Sequence, residues 1–207
     1  EGAGFVVLEP EDSVRSRGGK PLAELRGFAV GAEAHHITNP ESEGSTAARV
    51  MQSALRSAGL SSVDIDYINA HGTATPLNDA MESAAIRACF GARAKSVAVS
   101  SIKGQIGHTL GAAGAIEAAV TVLSVARGVV PPTGGLEEVD PACDLKHVTQ
   151  AQEMPVRAAM SNSFGFGGTD TALIFTAVDA FPPPNPTERR DVVIVAAATI
   201  GPLGVLG

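Results

Sequence analysis

The sequence is poor in cysteine, in clustered positive charge and in long apolar stretches. Its two cysteines, Cys89 and Cys143, give no framework of paired spacings, which fits a reducing compartment, and we expect a cytoplasmic protein. The formal net charge is −7 and no run rich in lysine or arginine is present, which argues against nucleic acid and anionic membrane as partners. No apolar stretch approaches the roughly 18 residues of a membrane span, so no span is expected.

What remains is the composition of a folded protein. Apolar residues make up 44% of the chain and charged residues 18%, which indicates a globular chain rather than a disordered one. The 207 residues suffice for one domain or slightly more. The chain opens at "EGAGFVVLEP", without an initiator methionine or a signal-like segment, and closes on the turn-like "IGPLGVLG". We therefore expect a fragment of a longer polypeptide.

Hydrophobic periodicity predicts alternating strands and helices. The predicted strands are 3–9, 23–34, 64–70, 96–101, 158–162 and 171–177. The predicted helices are 43–58, which Gly59 stops, 76–89, which Pro76 opens, and 111–127, which is apolar nearly all round and therefore expected to be buried. Residues 11–22 are polar and predicted to be a connection. This order is typical of a layered α/β domain, with a mixed sheet flanked by helices.

Three of the predicted strands end in unusual loops. Their sequences are "NAHGTAT", "SSIKGQIGHTLGAAGAIE" and "SNSFGFGGTD", at 69–75, 100–117 and 161–170. In open α/β sheets, ligands bind outside the carboxyl ends of the strands. The three loops are therefore candidates for one shared site.

Two histidines and a lysine dominate these loops. A lone His71 would most often be a core histidine, but His108 follows a second strand, with Lys103 in the same loop. Two imidazoles and an ammonium near one point could donate hydrogen bonds to an oxygen that gains negative charge. The nearby Asp, Glu and Cys residues lack a recognised ligand spacing, so no metal is expected. The adjacent His35 and His36 are expected at the surface, since neighbours in a strand point to opposite faces.

The glycines of these loops do not form a nucleotide-binding motif. They match neither G-x-G-x-x-G nor a P-loop, and close helix packing could account for them. In "GFGGTD", glycines on both sides of Phe166 let the backbone approach a ligand and can leave an N–H free to face a site. A plain core role for Phe164 and Phe166 stays open at this point.

Taken together, these motifs resemble the carboxyl-terminal half of β-ketoacyl-(acyl-carrier-protein) synthases. These ketosynthases belong to the thiolase-like condensing enzymes, and the similarity is closest to the fatty-acid elongation type and its polyketide relatives. It covers nearly all of residues 1–178: "EGAGFVVLE" resembles a family strand, and "NAHGTATPLND", "SSIKGQIGHTLGAAGAIE" and "SNSFGFGGTD" resemble the family's three site loops in the right order.

The resemblance implies an acyltransferase that performs a decarboxylating Claisen condensation in fatty-acid or polyketide biosynthesis. A cysteine takes an acyl chain from acyl carrier protein, a malonyl thioester loses carbon dioxide, and the resulting enolate attacks the acyl group. The substrates ride on phosphopantetheine, so no cofactor of the enzyme itself is implied. The implied partners are acyl carrier protein and a second ketosynthase chain, in a homodimer or a ketosynthase-like heterodimer.

The same resemblance implies a role for each site residue. His71 and His108 would hold the malonyl thioester oxygen and stabilise the enolate, supported by Lys103. The further roles are phosphopantetheine binding by Thr73 and Thr75, half of an oxyanion hole from the N–H of Phe166 and an acyl gate from its ring, and support from Glu117 and Phe164. The family usually has asparagine where this chain has Asp170, which exchanges a donor for an acceptor-only carboxylate, so Asp170 is not assigned to the site.

The family's nucleophilic cysteine, at the start of a buried helix, has no counterpart in this sequence. Cys89 ends a predicted helix and Cys143 lies in a polar loop. Residues 1–42 resemble the last strands of the amino-terminal half and 43–178 the carboxyl-terminal half, so the isolated fragment is expected to be inactive.

Residues 179–190 are Pro-rich and predicted to be a linker. In 191–207, "DVVIVAAATIGPLG" resembles the start of a second ketosynthase unit, with a stray terminal strand as the alternative.

Two other classes compete with an active ketosynthase. One is a non-catalytic ketosynthase-like partner of the chain-length-factor type, which has no need of His71, His108 and Lys103. The other is a thiolase, which would be expected to show a late C-x-G cysteine where this chain has "GFGGTD".

Overall fold

The computed structural model describes residues 2–184, 199–201 and 204–206. Its helices are α1 (Glu11–Ser16), α2 (Ser45–Ala58), α3 (Pro76–Phe90), α4 (Lys103–Ile106) and α5 (Ala113–Arg127). Its strands are β1 (Glu24–Ala32), β2 (Tyr67–Asn69), β3 (Ala98–Ser100), β4 (Val129–Val130), β5 (Lys146–His147), β6 (Gln152–Glu153), β7 (Ala158–Gly165), β8 (Thr169–Thr176), β9 (Thr199–Gly201) and β10 (Gly204–Leu206).

The main sheet has six strands in the order β1-β8-β7-β2-β3-β5. Strand β2 runs parallel to both β3 and β7, whereas β7 and β8 form an antiparallel hairpin and β1 pairs antiparallel with β8. Because β2, β3 and β7 run in the same direction, the three candidate loops all leave the sheet at the carboxyl ends of these strands. The predicted layered α/β fold is confirmed.

Each face of the sheet carries its own apolar core. Helices α2 and α3 cover one face, where Met51, Met81 and Met160 are fully buried. Helix α5 covers the other face and packs on β7, with Tyr67 and Phe175 in its core. The site loops therefore emerge between two packed layers, which fixes the ends of β2 and β3.

Helices α2 and α3 follow local signals in the sequence. Helix α2 buries its regularly spaced apolar face and ends at Gly59, which takes the left-handed conformation with φ 66°. Helix α3 begins at Pro76, where a missing N–H costs no helical hydrogen bond. Both predicted helices are confirmed to within two residues at each end.

The amino-terminal segment differs from its prediction. Residues 3–9 were expected to form a strand, but they form none, because no described strand lies beside them to complete a ladder. Gly4 instead lies against α5, where a Cβ atom would come within 2.8 Å of the Ile116 nitrogen. The side chains of Phe5 and Val7 are each 90% exposed.

The segment 11–22, expected to be a connection without helix, contains α1. Acidic residues in its first turn and Arg15 in its last turn suit the helix dipole, and Arg15 donates to Glu11 at i, i+4 with an N–O distance of 2.7 Å. The prediction was wrong because the Gly-Gly pair only follows the helix.

The helix expected over 111–127 is less buried than its composition suggested. A 3₁₀ turn over Leu110–Ala112 precedes α5, and the inward face carries polar Glu117, Thr121 and Ser124, while much of its apolar surface is half-exposed.

By length and composition alone, Leu110–Arg127 could cross a membrane, contrary to the expectation that no stretch approaches that length. Its packing on β7 and its buried charge pair are those of a core helix.

The predicted linker at 179–190 is described only as far as residue 184. There the ring of Phe181 lies beneath two guanidinium groups, 5.7 Å from Arg26 and 5.0 Å from Arg157. The apolar stretch 191–198, which the sequence also predicts to be a strand, lies outside the described residues. Of the expected second unit, only the short antiparallel pair of β9 and β10 is described.

Candidate active site

His71 is held in place through its backbone. It follows β2 and is 7% exposed, and its N–H donates to Glu82 Oε1 at 2.9 Å, while the N–H of Gly72 donates to Glu82 Oε2 at 2.8 Å. The side chain of Asn162, on β7, also donates to Glu82 Oε1, at 3.1 Å. One carboxylate from α3 thus joins the loop after β2 to the neighbouring strand.

Glu82 was missed in the sequence. Burial raises the pKa of its carboxyl, and the hydrogen bonds from Gly72, His71 and Asn162 oppose that rise. The available signal was its place one residue after Met81, on the inward side of a helix whose buried face is mostly apolar. An acid at such a position needs partners in the interior.

Lys103 forms a buried ion pair beside His71. Its ammonium bonds to Glu117 on α5, and Glu117 Oε2 also accepts from Ser163 at 3.3 Å. The same ammonium lies 3.3 Å from His71 Nδ1. Burial raises the pKa of Glu117, and the contact with Lys103 opposes it. The predicted neighbours Lys103, Glu117 and His71 are therefore brought together.

This contact assigns the tautomer of His71. An ammonium can only donate, so Nδ1 of His71 accepts and the ring proton lies on Nε2. The pKa of His71 is lowered to about 3, by burial first, then by the charge of Lys103 and by His108. His71 is therefore a neutral imidazole whose Nε2–H is free to donate.

His108 has the same arrangement by a different route. Its Nδ1 accepts the N–H of Leu110 at 3.1 Å, which also places the ring proton on Nε2. Burial and the charge of Lys103 lower its pKa. The two rings lie with centroids 5.5 Å apart at an interplanar angle of 85°. Two neutral imidazole donors thus stand side by side.

Both histidines line a cavity of about 890 Å³. Its wall also includes Thr73 and Thr75, whose hydroxyl oxygens lie 2.9 Å apart. A second cavity of about 350 Å³ lies beyond the same loop and shares Thr73 and His108 with the first. The threonines expected near a polar arm thus lie on the wall of the larger cavity.

Two phenylalanines flank the cavity on the hairpin of β7 and β8. The ring of Phe164 contacts His71 with a centroid distance of 5.6 Å. Phe166 lies at the tip of the turn and is 83% exposed, so it is not a core residue. Gly167 and Gly168 take φ of 85° and 76°, a conformation that side chains disfavour. Both aromatic residues line the larger cavity.

Neither cysteine has the lowered thiol pKa that favours a nucleophilic thiolate. Burial raises the pKa of Cys89 to about 11 and also raises that of Cys143. Cys143 lines the smaller cavity. His35 and His36 are exposed, and His36 Nδ1 accepts the N–H groups of two following residues, although its ring also reaches the rim of the larger cavity.

The fold is that of the ketosynthases among the thiolase-like condensing enzymes. A beta-ketoacyl synthase from Burkholderia phymatum aligns with 82% of this chain and 41% of its own, with a TM-score of 0.77 and 42% identity. An acyl-carrier protein in complex with its type II polyketide ketosynthase, AntDE:AntF, gives a TM-score of 0.81 at 35% identity over 83% of this chain and 42% of that chain.

The sequence comparisons agree. The family profile described as "Beta-ketoacyl synthase, C-terminal domain" matches residues 22–137, so the chain belongs to the β-ketoacyl synthase family. The mitochondrial 3-oxoacyl-[acyl-carrier-protein] synthase of Arabidopsis thaliana is 46% identical over 182 residues, and 3-oxoacyl-[acyl-carrier-protein] synthase 2 of Synechocystis is 46% identical over 176. These matches cover 86% and 84% of this chain but only 40% and 42% of the relatives. The resemblance drawn from the motifs is confirmed.

Proposed function

We propose that this chain is the carboxyl-terminal half of a β-ketoacyl-acyl-carrier-protein synthase that carries out decarboxylative condensation of malonyl thioester with an enzyme-bound acyl chain. The observation that carries the proposal is the pair of neutral imidazoles, His71 and His108, each with its Nδ1 occupied and its Nε2–H available. Such a pair suits one oxygen that becomes negatively charged.

In the proposed reaction, the malonyl thioester loses carbon dioxide and the electron pair of the broken bond moves into an enolate. The thioester oxygen gains charge during this step, so the N–H groups of His71 and His108 bind it more strongly in the transition state than in the ground state. These donors suit this task because the hydrogen bond at Nδ1 already orients each ring. Lys103 and Glu117 would hold His71 in that orientation.

The remaining residues would place the substrates. Thr73 and Thr75 would bond to the amides of the phosphopantetheine arm, which carries the substrate in place of any cofactor. The N–H of Phe166 would contribute to an oxyanion hole for the acyl thioester, and its exposed ring and that of Phe164 would gate the acyl pocket. Support for this comes from their shared place on the wall of the larger cavity.

We infer that the attacking cysteine lies in another part of the enzyme. Cys89 and Cys143 both have raised thiol pKa values, which disfavour the thiolate. The chain spans about two fifths of the length of its relatives, with 40% for the Arabidopsis synthase. The chain alone would therefore be inactive. The proposed division has four parts. The last strands of the amino-terminal half are residues 1–42, and the carboxyl-terminal half is 43–178. A linker follows at 179–190, and a second unit starts at 191–207.

The proposed partners are acyl carrier protein and a second ketosynthase chain. Among the structures similar to this chain, AntDE:AntF joins an acyl-carrier protein to its ketosynthase. Another, ApeO from Xenorhabdus doucetiae, is a ketosynthase in complex with its chain length factor ApeC. Both a homodimer and a heterodimer of this kind suit the chain. A cytoplasmic location stays a prediction, since one of the relatives is mitochondrial by name.

A chain-length-factor type of subunit is the second candidate, because ketosynthase and chain length factor complexes are among the similar structures. The buried pair of Lys103 and Glu117 favours the catalytic candidate. A buried pair of charges is costly to desolvate, and here it orients His71.

The experiment is His71→Ala and His108→Ala in the full-length enzyme, with carbon dioxide release and acyl transfer to the cysteine measured separately. Each variant should slow decarboxylation by about 10²–10³, the effect of losing one such donor, and spare acyl transfer more. Abolished acylation with normal decarboxylation would contradict the assigned roles. No effect on either step would favour the non-catalytic subunit.

A further inference from the structure

Asp170 is a buried acid that the proposed mechanism does not use. It is the second residue of β8 and lies in register between Phe164 on β7 and Gly31 on β1. Its side chain is 2% exposed, and its Oδ2 has no hydrogen-bond partner among the residues that the structure describes. An acid in this position is poorly accommodated as an anion.

Among the described residues, the charged groups that act on the pKa of Asp170 are acidic. They come from three different elements: Glu33 directly after β1, Glu82 on α3, and Glu41 ahead of α2. Burial first, and then these three carboxylates in the order Glu33, Glu82 and Glu41, raise the pKa of Asp170 to about 7. The nearby cations act on the other acids, with Arg49 lowering the pKa of Glu41 and Lys103 that of Glu82.

Two further buried polar atoms, on neighbouring strands and segments that the structure describes, lack a hydrogen-bond donor. Within the described chain, Glu33 Oε1 and Asn162 Oδ1 are also buried without a partner, and both can only accept a hydrogen bond. A protonated Asp170 carries an O–H group that one of these acceptors can take, whereas an ionised Asp170 adds one more acceptor and one more negative charge. The two protonation states of Asp170 therefore differ in the hydrogen bonds and the charge repulsion between these side chains.

The segment that contains Glu33 and Ile37 is also hydrogen-bonded to the glycine turn at 165–168. The N–H of Glu33 donates to the Gly168 oxygen at 2.7 Å, and the N–H of Gly167 donates to the Ile37 oxygen at 2.8 Å. The contact is close, because a Cβ atom on Gly168 would lie 2.5 Å from the Glu33 oxygen. The turn carries Phe166, on the rim of the larger cavity.

We propose that Glu33 and Asp170 form a proton-dependent latch that holds the glycine turn at 165–168 against the segment 33–41. With a proton on Asp170 the turn stays closed on that segment. Loss of the proton places a second negative charge beside Glu33 and loosens the turn, which opens the side of the cavity that Phe164 and Phe166 flank. The latch depends on the packing of β1 against β8 and not on the reaction proposed for the histidines.

The direction follows from linkage. Asp170 has a folded-state pKa above the ordinary 3.8 of its side chain, so the folded chain binds the proton more tightly than the unfolded chain. Its contribution to stability is fully present below 3.8 and is lost as the pH rises through about 7. The latch therefore opens on the alkaline side.

Hydrogen–deuterium exchange of the complete chain tests the latch at the amides of Glu33 and Gly167. Exchange is measured at about pH 5.5 and about pH 8.5, on either side of the folded pKa, and corrected for the intrinsic effect of pH. We expect protection of both amides to fall at the higher pH, by up to about tenfold for each pH unit above the pKa. Asp170→Asn should abolish this pH dependence.

Asp12→Asn, the same chemical change at an exposed position of α1, should behave like the unsubstituted chain. Glu33→Gln should move the midpoint to lower pH, because one repelling charge is gone. An unchanged pH dependence in Asp170→Asn, or none in the unsubstituted chain, would overturn the proposal. If Asp170→Asn does not fold, an unmoved midpoint in Glu33→Gln overturns it instead. None of these outcomes depends on catalytic activity.

Discussion

At the scale of single residues, the tautomer of each site histidine is set by the group that contacts its Nδ1 atom. Lys103 occupies Nδ1 of His71, the backbone of Leu110 occupies Nδ1 of His108, and each ring is left with one proton on its far side. His71 is also kept from charging by burial. The state of the His71 ring therefore depends on a residue from another loop, whereas that of His108 is set within its own loop.

His71 is expected to stay neutral at every pH near neutrality. Its pKa of about 3 lies below the ordinary 6.5, so the folded chain binds that proton less readily than the unfolded chain. The contribution of His71 to stability is present above 6.5 and is lost as the pH falls toward 3. NMR should show a His71 Cε1–H signal that is constant from about pH 8 to about pH 5, identified by its loss in His71→Gln. A midpoint near 6.5 for that signal would contradict the assignment.

The pair of Lys103 and Glu117 should be costly to break on one side. Lys103→Met leaves the Glu117 carboxyl buried without its cation, and the free energy of unfolding should fall by about 3–5 kcal/mol. The double variant Lys103→Met, Glu117→Gln should recover much of that loss. Urea unfolding measures both.

Lys95→Met provides the matched control, since Lys95 pairs with Asp144 at the exposed surface and its loss should cost much less stability than the loss of Lys103. Equal losses in Lys95→Met and Lys103→Met would mean that burial of the pair has no energetic role.

At the scale of elements, close backbone contacts decide where the site loops lie. Helix α4 carries Lys103 at its first position, and the next residue, Gly104, lies against Gly134 in the loop after β4. A Cβ atom on Gly104 would come within 2.4 Å of the Gly134 oxygen. Close packing, which the sequence allowed for the glycines of this loop, therefore applies to Gly104.

Gly104→Ala should displace α4 and with it Lys103. We expect a loss of about 1–3 kcal/mol in the free energy of unfolding, typical of overpacking at a buried contact. Gly111→Ala is the control in the same loop, because a Cβ atom there meets no atom within 4 Å. Thermal or urea unfolding of both variants gives the comparison. A neutral Gly104→Ala would show that the two loops separate readily.

The sequence predicted those elements whose signals are local. The helix over Ser45–Ala58 follows from apolar spacing and a glycine stop, and the histidine loops follow from their place after apolar runs. Residues 3–9 were mispredicted because a strand exists only where a partner strand lies beside it, and periodicity cannot supply the partner. Glu82 was missed for a similar reason, since its role depends on which loop reaches α3.

At the scale of the whole molecule, no described element covers the edge of the sheet that β1 forms. Strand β1 forms one edge, and its outer face exposes Phe28 and Val30, with Phe5 and Val7 also exposed in the amino-terminal segment. Exposed apolar surface of this extent is typical of an interface. The proposed amino-terminal half and a second chain are the candidates to cover it.

The isolated chain should therefore associate. Light scattering of residues 1–207 should show oligomers or aggregates, and Phe28→Glu with Val30→Glu should reduce them by placing charge on the exposed face. A double substitution at Glu137 and Glu138, both exposed, to Gln is the control for a change in charge away from β1. A monodisperse monomer of the unsubstituted chain would contradict the division of the domain into two halves.

The contacts of Phe181 and Pro182, at the start of the Pro-rich segment, affect the position of any segment attached through it. Phe181 is held between Arg26 and Arg157, and Arg26 also bonds to the Phe181 and Pro182 oxygens. The Pro-rich segment is thus anchored beside β1 at Phe181 and Pro182, so any tether that it forms begins after this anchor rather than at the end of β8. A shorter tether raises the effective concentration of the attached segment around its anchor. The anchor from which any such segment would extend therefore lies beside β1, an edge strand of the sheet.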